Sequence, residues 1–138
     1  MYSMRLPAQL ETSGAARALA TTWLHDAGVT QRLVDDAAVV VSELVTNAVR
    51  VGADEGVVLR LDLRDGWLRV EVDDEGPGTP RPRTGGEDGG WGLQLVDALA
   101  TDWGTERHDH RKTVWAELSA AGPRLADGGT RLADPRAR

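Results

Sequence analysis

The spacing of apolar positions along this chain predicts a strand, two helices, a hairpin, a third helix and a second strand pair. Ser3 to Pro7 alternates polar and apolar side chains and stops at a proline, which suits a short edge strand. Behind Ser13 and Gly14, Ala15 to Ala27 carries Leu19, Trp23 and Leu24 at helical spacing, and Gly28 closes that helix. Thr30 is the N-cap of a second helix, Gln31 to about Arg50, with Asp35 and Asp36 near its positive end. On this helix Val34, Ala37, Ala38, Val41, Leu44, Val45 and Ala48 gather on one side, and Asp36, Glu43, Asn47 and Arg50 on the other.

Val57 to Leu63 and Trp67 to Val72 alternate around Asp65-Gly66, the signature of an antiparallel hairpin. Regular patterning then stops from Asp73 to Gly92, a stretch dense in glycine and proline and long for a loop inside a compact domain. Leu93, Val96 and Leu99 align on a short third helix, and two strands follow, Asp102 to about Arg107 and Lys112 to Leu118. This order predicts an α+β fold: a two-layer α/β sandwich with a mixed, mostly antiparallel sheet and helices on one face. The expected domain is 1–118, followed by a flexible tail, 119–138, without a sustained amphipathic period.

Composition narrows the function classes. The chain has 138 residues, room for one ordinary domain, and 41% hydrophobic residues with no Phe, so Leu, Val and Ala must supply most of the core. Net charge is −6, opposite in sign to the footprint of a phosphate-backbone binder, which argues against direct contact with nucleic acid. Without cysteine there is no disulfide, thiolate nucleophile or Cys-ligated metal. No run approaches the ~18 apolar residues of a membrane span, and the N-terminus lacks a signal-peptide core; the expected location is cytoplasmic, with no membrane partner.

Three short stretches can carry chemistry. In SELVTNAV, Glu43 and Asn47 lie four residues apart on one helix face; an amide oxygen suits Mg²⁺ and a carboxylate one turn away can accept a proton. The plainer alternative is a solvated helix face. In DEGPG, Asp74 ends a strand and precedes glycines, so it can receive an exocyclic amine while a base approaches the backbone, or the stretch is simply a turn. Gly89-Gly90-Trp91-Gly92 leads into a helix, where unpaired N–H groups and the positive dipole end suit phosphate; a flexible linker is the alternative, and neither a Walker nor a Rossmann pattern is present. His108-Asp109-His110 reads as a hairpin tip rather than a metal site.

Taken in order, these stretches resemble the GHKL ATP-binding superfamily, and within it the anti-sigma-factor serine/threonine kinases and their single-domain relatives. ELVTNAV is similar to the N box, DEGPG to the first glycine box, and GGWGLQLVDALATDWG with KTVWAEL to the second glycine box and closing strands. The resemblance implies the Bergerat ATP-binding fold, with ATP and Mg²⁺ as cofactors. By it, Asn47 coordinates Mg²⁺, Glu43 is the catalytic base, and Asp74 accepts from the adenine amine. Gly76 and Gly78 admit the base, Gly90, Gly92 and Leu93 offer backbone to the phosphates, and Thr113 sets a hydroxyl near the adenine. Residues 79–91 become the ATP lid. Trp91 stands where relatives often carry Arg, and Val51 follows Arg50 where they often carry His. The implied partners are a sigma factor and an anti-anti-sigma-type protein that receives phosphate; homodimers are frequent among such relatives. The alternative function is a non-catalytic, nucleotide-gated protein-binding module.

Overall fold

The computed structural model describes residues 1–50, 56–74, 90–108 and 111–121. Strand β1 (Tyr2–Leu6) is followed by α1 (Thr12–Asp26), α2 (Gln31–Arg50), the hairpin β2 (Val57–Arg64) and β3 (Trp67–Asp74), α3 (Gly90–Leu99), and the pair β4 (Asp102–His108) and β5 (Arg111–Ser119). One five-stranded sheet runs β1-β2-β3-β5-β4. All four pairings are antiparallel, so the sheet has no parallel component among the described residues, where the sequence pattern left room for a mixed one. The architecture is the expected α+β sandwich, with β1 on an edge.

Local chemistry explains the boundaries. α1 starts at Thr12, three residues before the expected Ala15, because the buried Thr12 hydroxyl donates to the Pro7 carbonyl and accepts from the Gln9 N–H. These bonds fasten the helix start to the end of β1. Gly28, at φ 76°, closes α1 by donating its N–H to the His25 carbonyl. Thr30 caps α2, accepting from the Leu33 N–H at 3.3 Å while its carbonyl receives Val34. Asp65 and Gly66 take φ of 51° and 81°, the double positive φ of a type I′ turn between β2 and β3.

α2 is the central helix of the helical layer, packing on α1, α3 and the sheet. Its buried stripe is accordingly wider than the spacing predicted: Leu33 and Val40 join Val34, Ala37, Val41, Leu44, Val45 and Ala48, whereas Ala38 is half-buried. The sheet contributes Val57, Leu59, Leu61, Leu68, Val70, Val72, Ala116 and Leu118 to this core from one face. The opposite face is polar, built from Arg60, Arg69, Glu71, Asp73, Thr113 and Glu117, with Trp115 beneath the Arg69 guanidinium at 4.5 Å from the ring centroid.

Gly56 immediately precedes β2. Its φ is +98°, and a Cβ there would come within 2.6 Å of the Leu6 carbonyl oxygen, where β1 meets β2. Gly56→Ala is expected to lower stability by about 2 kcal/mol, combining the left-handed backbone penalty with the clash against rigid backbone. Urea denaturation of the two proteins measures it.

Candidate functional site

Glu43 and Asn47 are both half-buried, rather than lying on a fully solvated face. Four residues apart on α2, they are separated by about 6 Å along the axis. Their helix is held from three sides, and the buried neighbours Leu44, Val45 and Ala48 fix its rotation. Arg50 ends α2 and β2 starts at Val57, with residues 51–55 between them outside the described residues.

Asp74 lies at the start of β2. Asp74 pairs across to Val57 on β2 and to Lys112 on β5. Successive strand residues alternate faces, so with Leu68, Val70 and Val72 in the core, Asp74 belongs to the helix-facing side. Neighbouring Asp73 belongs to the polar side.

α3 begins at Gly90, three residues earlier than the expected Leu93, so Gly90, Gly92 and Leu93 all lie in its first turn. First-turn N–H groups lack carbonyl partners within a helix and sit at its positive end, which favours an anionic ligand. The other end of α3 is anchored to the far rim of the sheet. Trp103 Nε1 donates to Asp97 Oδ1 at 2.9 Å, Ala100 N donates to the Val96 carbonyl, and Thr101 N donates to the Glu117 carbonyl.

Thr113 is not brought beside Asp74. Its cross-strand partner is Asp73, and its buried hydroxyl donates to Asp73 Oδ1 at 2.5 Å on the polar side of the sheet. The cause is strand alternation: Val114, Ala116 and Leu118 follow the helix-facing side, which sends Thr113 to the other. Gly76, Gly78, most of the 79–91 lid segment, Val51 and the tail beyond Ala121 lie outside the described residues.

The pair Asp73–Thr113 was not singled out by sequence reasoning. Asp73 is 1% exposed and also receives Arg60 Nη2 at 2.6 Å, while Arg111 Nη1 lies 3.6 Å from its Oδ2. Arg60 continues the network to Glu71 at 2.9 Å, and Arg69 joins Glu71 at 2.7 Å and Glu117 at 3.0 Å. Hydrogen bonding to Asp73 holds the Arg60 guanidinium above its ordinary pKa. Burial opposes ionisation of Glu71, but its bonds from Arg69 and Arg60 outweigh it and keep the carboxyl below the usual value. On α2, burial raises Asp36, only partly offset by Arg32.

A depression of about 560 Å³ lies on the polar face, lined by Trp67, Arg69, Glu71 and Glu117 among others. It is on the opposite face from Asp74 and towards the opposite sheet end, and its mixed-charge lining has none of the motif residues. Asn47 offers one hard amide oxygen, the kind of donor Mg²⁺ takes. Asn47 would thus share such an ion with ligand phosphates.

Residues 6–118 match the family model of the histidine kinase-like ATPase domain. Among solved structures, the chain is similar to the RsbU and RsbW domains of Rv1364c from Mycobacterium tuberculosis, with 25% identity and a TM-score of 0.68 over 86% of this chain and 31% of that one. The histidine kinase domain from the Erythrobacter litoralis EL346 blue-light activated histidine kinase shares 28% identity over 62% of this chain and 44% of that one, with a TM-score of 0.49. The chain thus spans less than half of either solved chain. No curated protein matches it, and no described helix is long and apolar enough to cross a membrane.

Proposed function

The chain belongs to the histidine kinase-like ATPase family, and from that premise we propose that it binds Mg·ATP as an anti-sigma-type regulator and transfers the γ-phosphate to a hydroxyl of an anti-anti-sigma-type antagonist. The observation that carries this reading is the placement of Glu43 and Asn47 on the central helix, packed against α3, whose first turn is Gly90–Leu93. Asp74 faces the same helical layer from β3.

Each residue has a role in that reading. Asp74 accepts a hydrogen bond from the adenine amine, and Gly76 and Gly78 let the base lie against backbone. Gly90, Gly92 and Leu93 present their amides to the phosphates, and Asn47 holds the metal through its side-chain oxygen. When bound, Mg²⁺ neutralises phosphate charge. Glu43 takes the proton from the attacking hydroxyl as the new O–P bond forms and the bond to the β-phosphate bridging oxygen breaks, releasing ADP. The sigma-factor partner belongs to the same proposal, supported by the likeness to a structure containing an RsbW domain; a homodimeric state and a cytoplasmic location are proposed with it on the sequence resemblance alone.

Thermal unfolding with and without Mg·ATP tests it. At a hundredfold excess over the dissociation constant, binding adds about 2.7 kcal/mol. For a chain of this size that is an upward Tm shift of roughly 8–13 °C. Asp74→Asn replaces the acceptor with a group able to misdirect a donor at the amine, and is expected to remove most of the shift. No shift in the unaltered protein would refute nucleotide binding.

A further inference from the structure

Asp73 and Asp74 are identical side chains at the rim of β3, and only one can face the helices. The buried row Leu68, Val70 and Val72 excludes a slip of the whole strand, but a local twist beyond Val72 would exchange them without changing the residue type presented. What resists such a twist at the strand end is on the polar side. There the Asp73 carboxylate is 1% exposed, receives the Thr113 hydroxyl from β5 at 2.5 Å and Arg60 from β2 at 2.6 Å, and has Arg111 at 3.6 Å. These partners come from both strands flanking β3, and Thr113 is also its register partner. A carboxylate this buried is costly unless paired, so the arrangement strongly favours one register.

We propose that Asp73 is a positioning residue: bound across the sheet to Thr113 and Arg60, it fixes the end of β3 so that Asp74 is held on the helix-facing side to receive the adenine amine. The inference rests on the nucleotide-binding reading and adds to it a residue that never touches the ligand. Its effect is confined to the base. Phosphate contacts come from α2 and α3, which Asp73 does not brace.

Calorimetric titration at 15 °C of the unaltered protein and of Asp73→Ala, Asp73→Asn and Thr113→Val tests this, with Mg·ATP, Mg·GTP and Mg·tripolyphosphate as ligands and circular dichroism confirming that each protein is folded. Asp73→Ala is expected to weaken ATP binding about tenfold, the equivalent of roughly one lost hydrogen bond at the amine. Tripolyphosphate and GTP should stay within about twofold, so the preference for ATP over GTP falls. Asp73→Asn keeps an oxygen for Thr113 and should recover most of the loss, which a purely packing role would not predict. If Asp73→Ala fails to fold, Thr113→Val carries the test, with a selective loss of ATP affinity of about threefold expected from removal of one clamp bond. Unchanged ATP affinity, or equal losses for ATP and tripolyphosphate, would overturn the positioning role while leaving nucleotide binding intact. Absence of ATP binding by the unaltered protein would instead refute the nucleotide reading, and the positioning role with it.

Discussion

Glu43→Gln is expected to bind Mg·ATP within about twofold of the unaltered protein and to lose roughly 10²–10⁴ in the rate of phosphoryl transfer to an anti-anti-sigma-type antagonist, the span typical of a general base. The substitution keeps side-chain length and shape on α2. It removes only the ability to take a proton, because a carboxamide is not basic at neutral pH. Nucleotide affinity in the proposed site comes from Asp74, Asn47 and the first-turn amides of α3, none of which the change alters. Binding by thermal shift and transfer of labelled γ-phosphate from ATP to the antagonist therefore separate two functions. Retained binding with lost transfer supports the kinase. Retained binding with no transfer from either protein, and an undiminished effect on the sigma factor, selects the nucleotide-gated binding module, for which Trp91 in place of a frequent Arg is the motivating residue.

The fold was legible wherever a local periodicity decided it. α2 runs from Gln31 to Arg50 as its apolar stripe and the Thr30 cap require, and β2 and β3 meet at the Asp65-Gly66 turn that positive φ favours. The misplaced helix start of α1 has a tertiary cause: Thr12 is fastened to Pro7, which precedes it by five residues and directly follows β1. Likewise Leu33 and Val40 fall outside a single-sided stripe, and only the packing of three neighbours around α2 buries them. Site motifs were legible as order along the chain, not as faces. Thr113 shows the difference. The run Lys112 to Leu118 alternates, with Val114, Ala116 and Leu118 inward, so the position of Thr113 on the polar side was already written in its neighbours. The same alternation in β3 separates Asp73 from Asp74. What spacing could not reveal is that Asp73 would find Arg60 and Arg111 from two other strands and become buried there, because those contacts join residues far apart in sequence.

Leu44→Ala is expected to cost about 3–4 kcal/mol, near the middle of the range for a fully buried leucine that leaves a cavity. Leu44 is 1% exposed on the helix that packs against α1, α3 and the sheet together, so no single neighbour can collapse into the space. For this chain length the loss is a fall in Tm of roughly 10–20 °C. Val39, on the same helix but 37% exposed, provides the control: Val39→Ala should stay within about 0.5 kcal/mol, as for a surface site without special partners. Urea denaturation of all three proteins, read by tryptophan fluorescence, measures both. A cost for Leu44→Ala below about 1 kcal/mol would mean that this face of α2 is not closely packed. That outcome would also remove the physical basis for the orientation of Glu43 and Asn47, since it is the buried row beside them that fixes the rotation of the helix. The site and the core are in this sense one structure: the residues proposed to handle phosphate and metal owe their direction to Leu44, Val45 and Ala48, which touch neither.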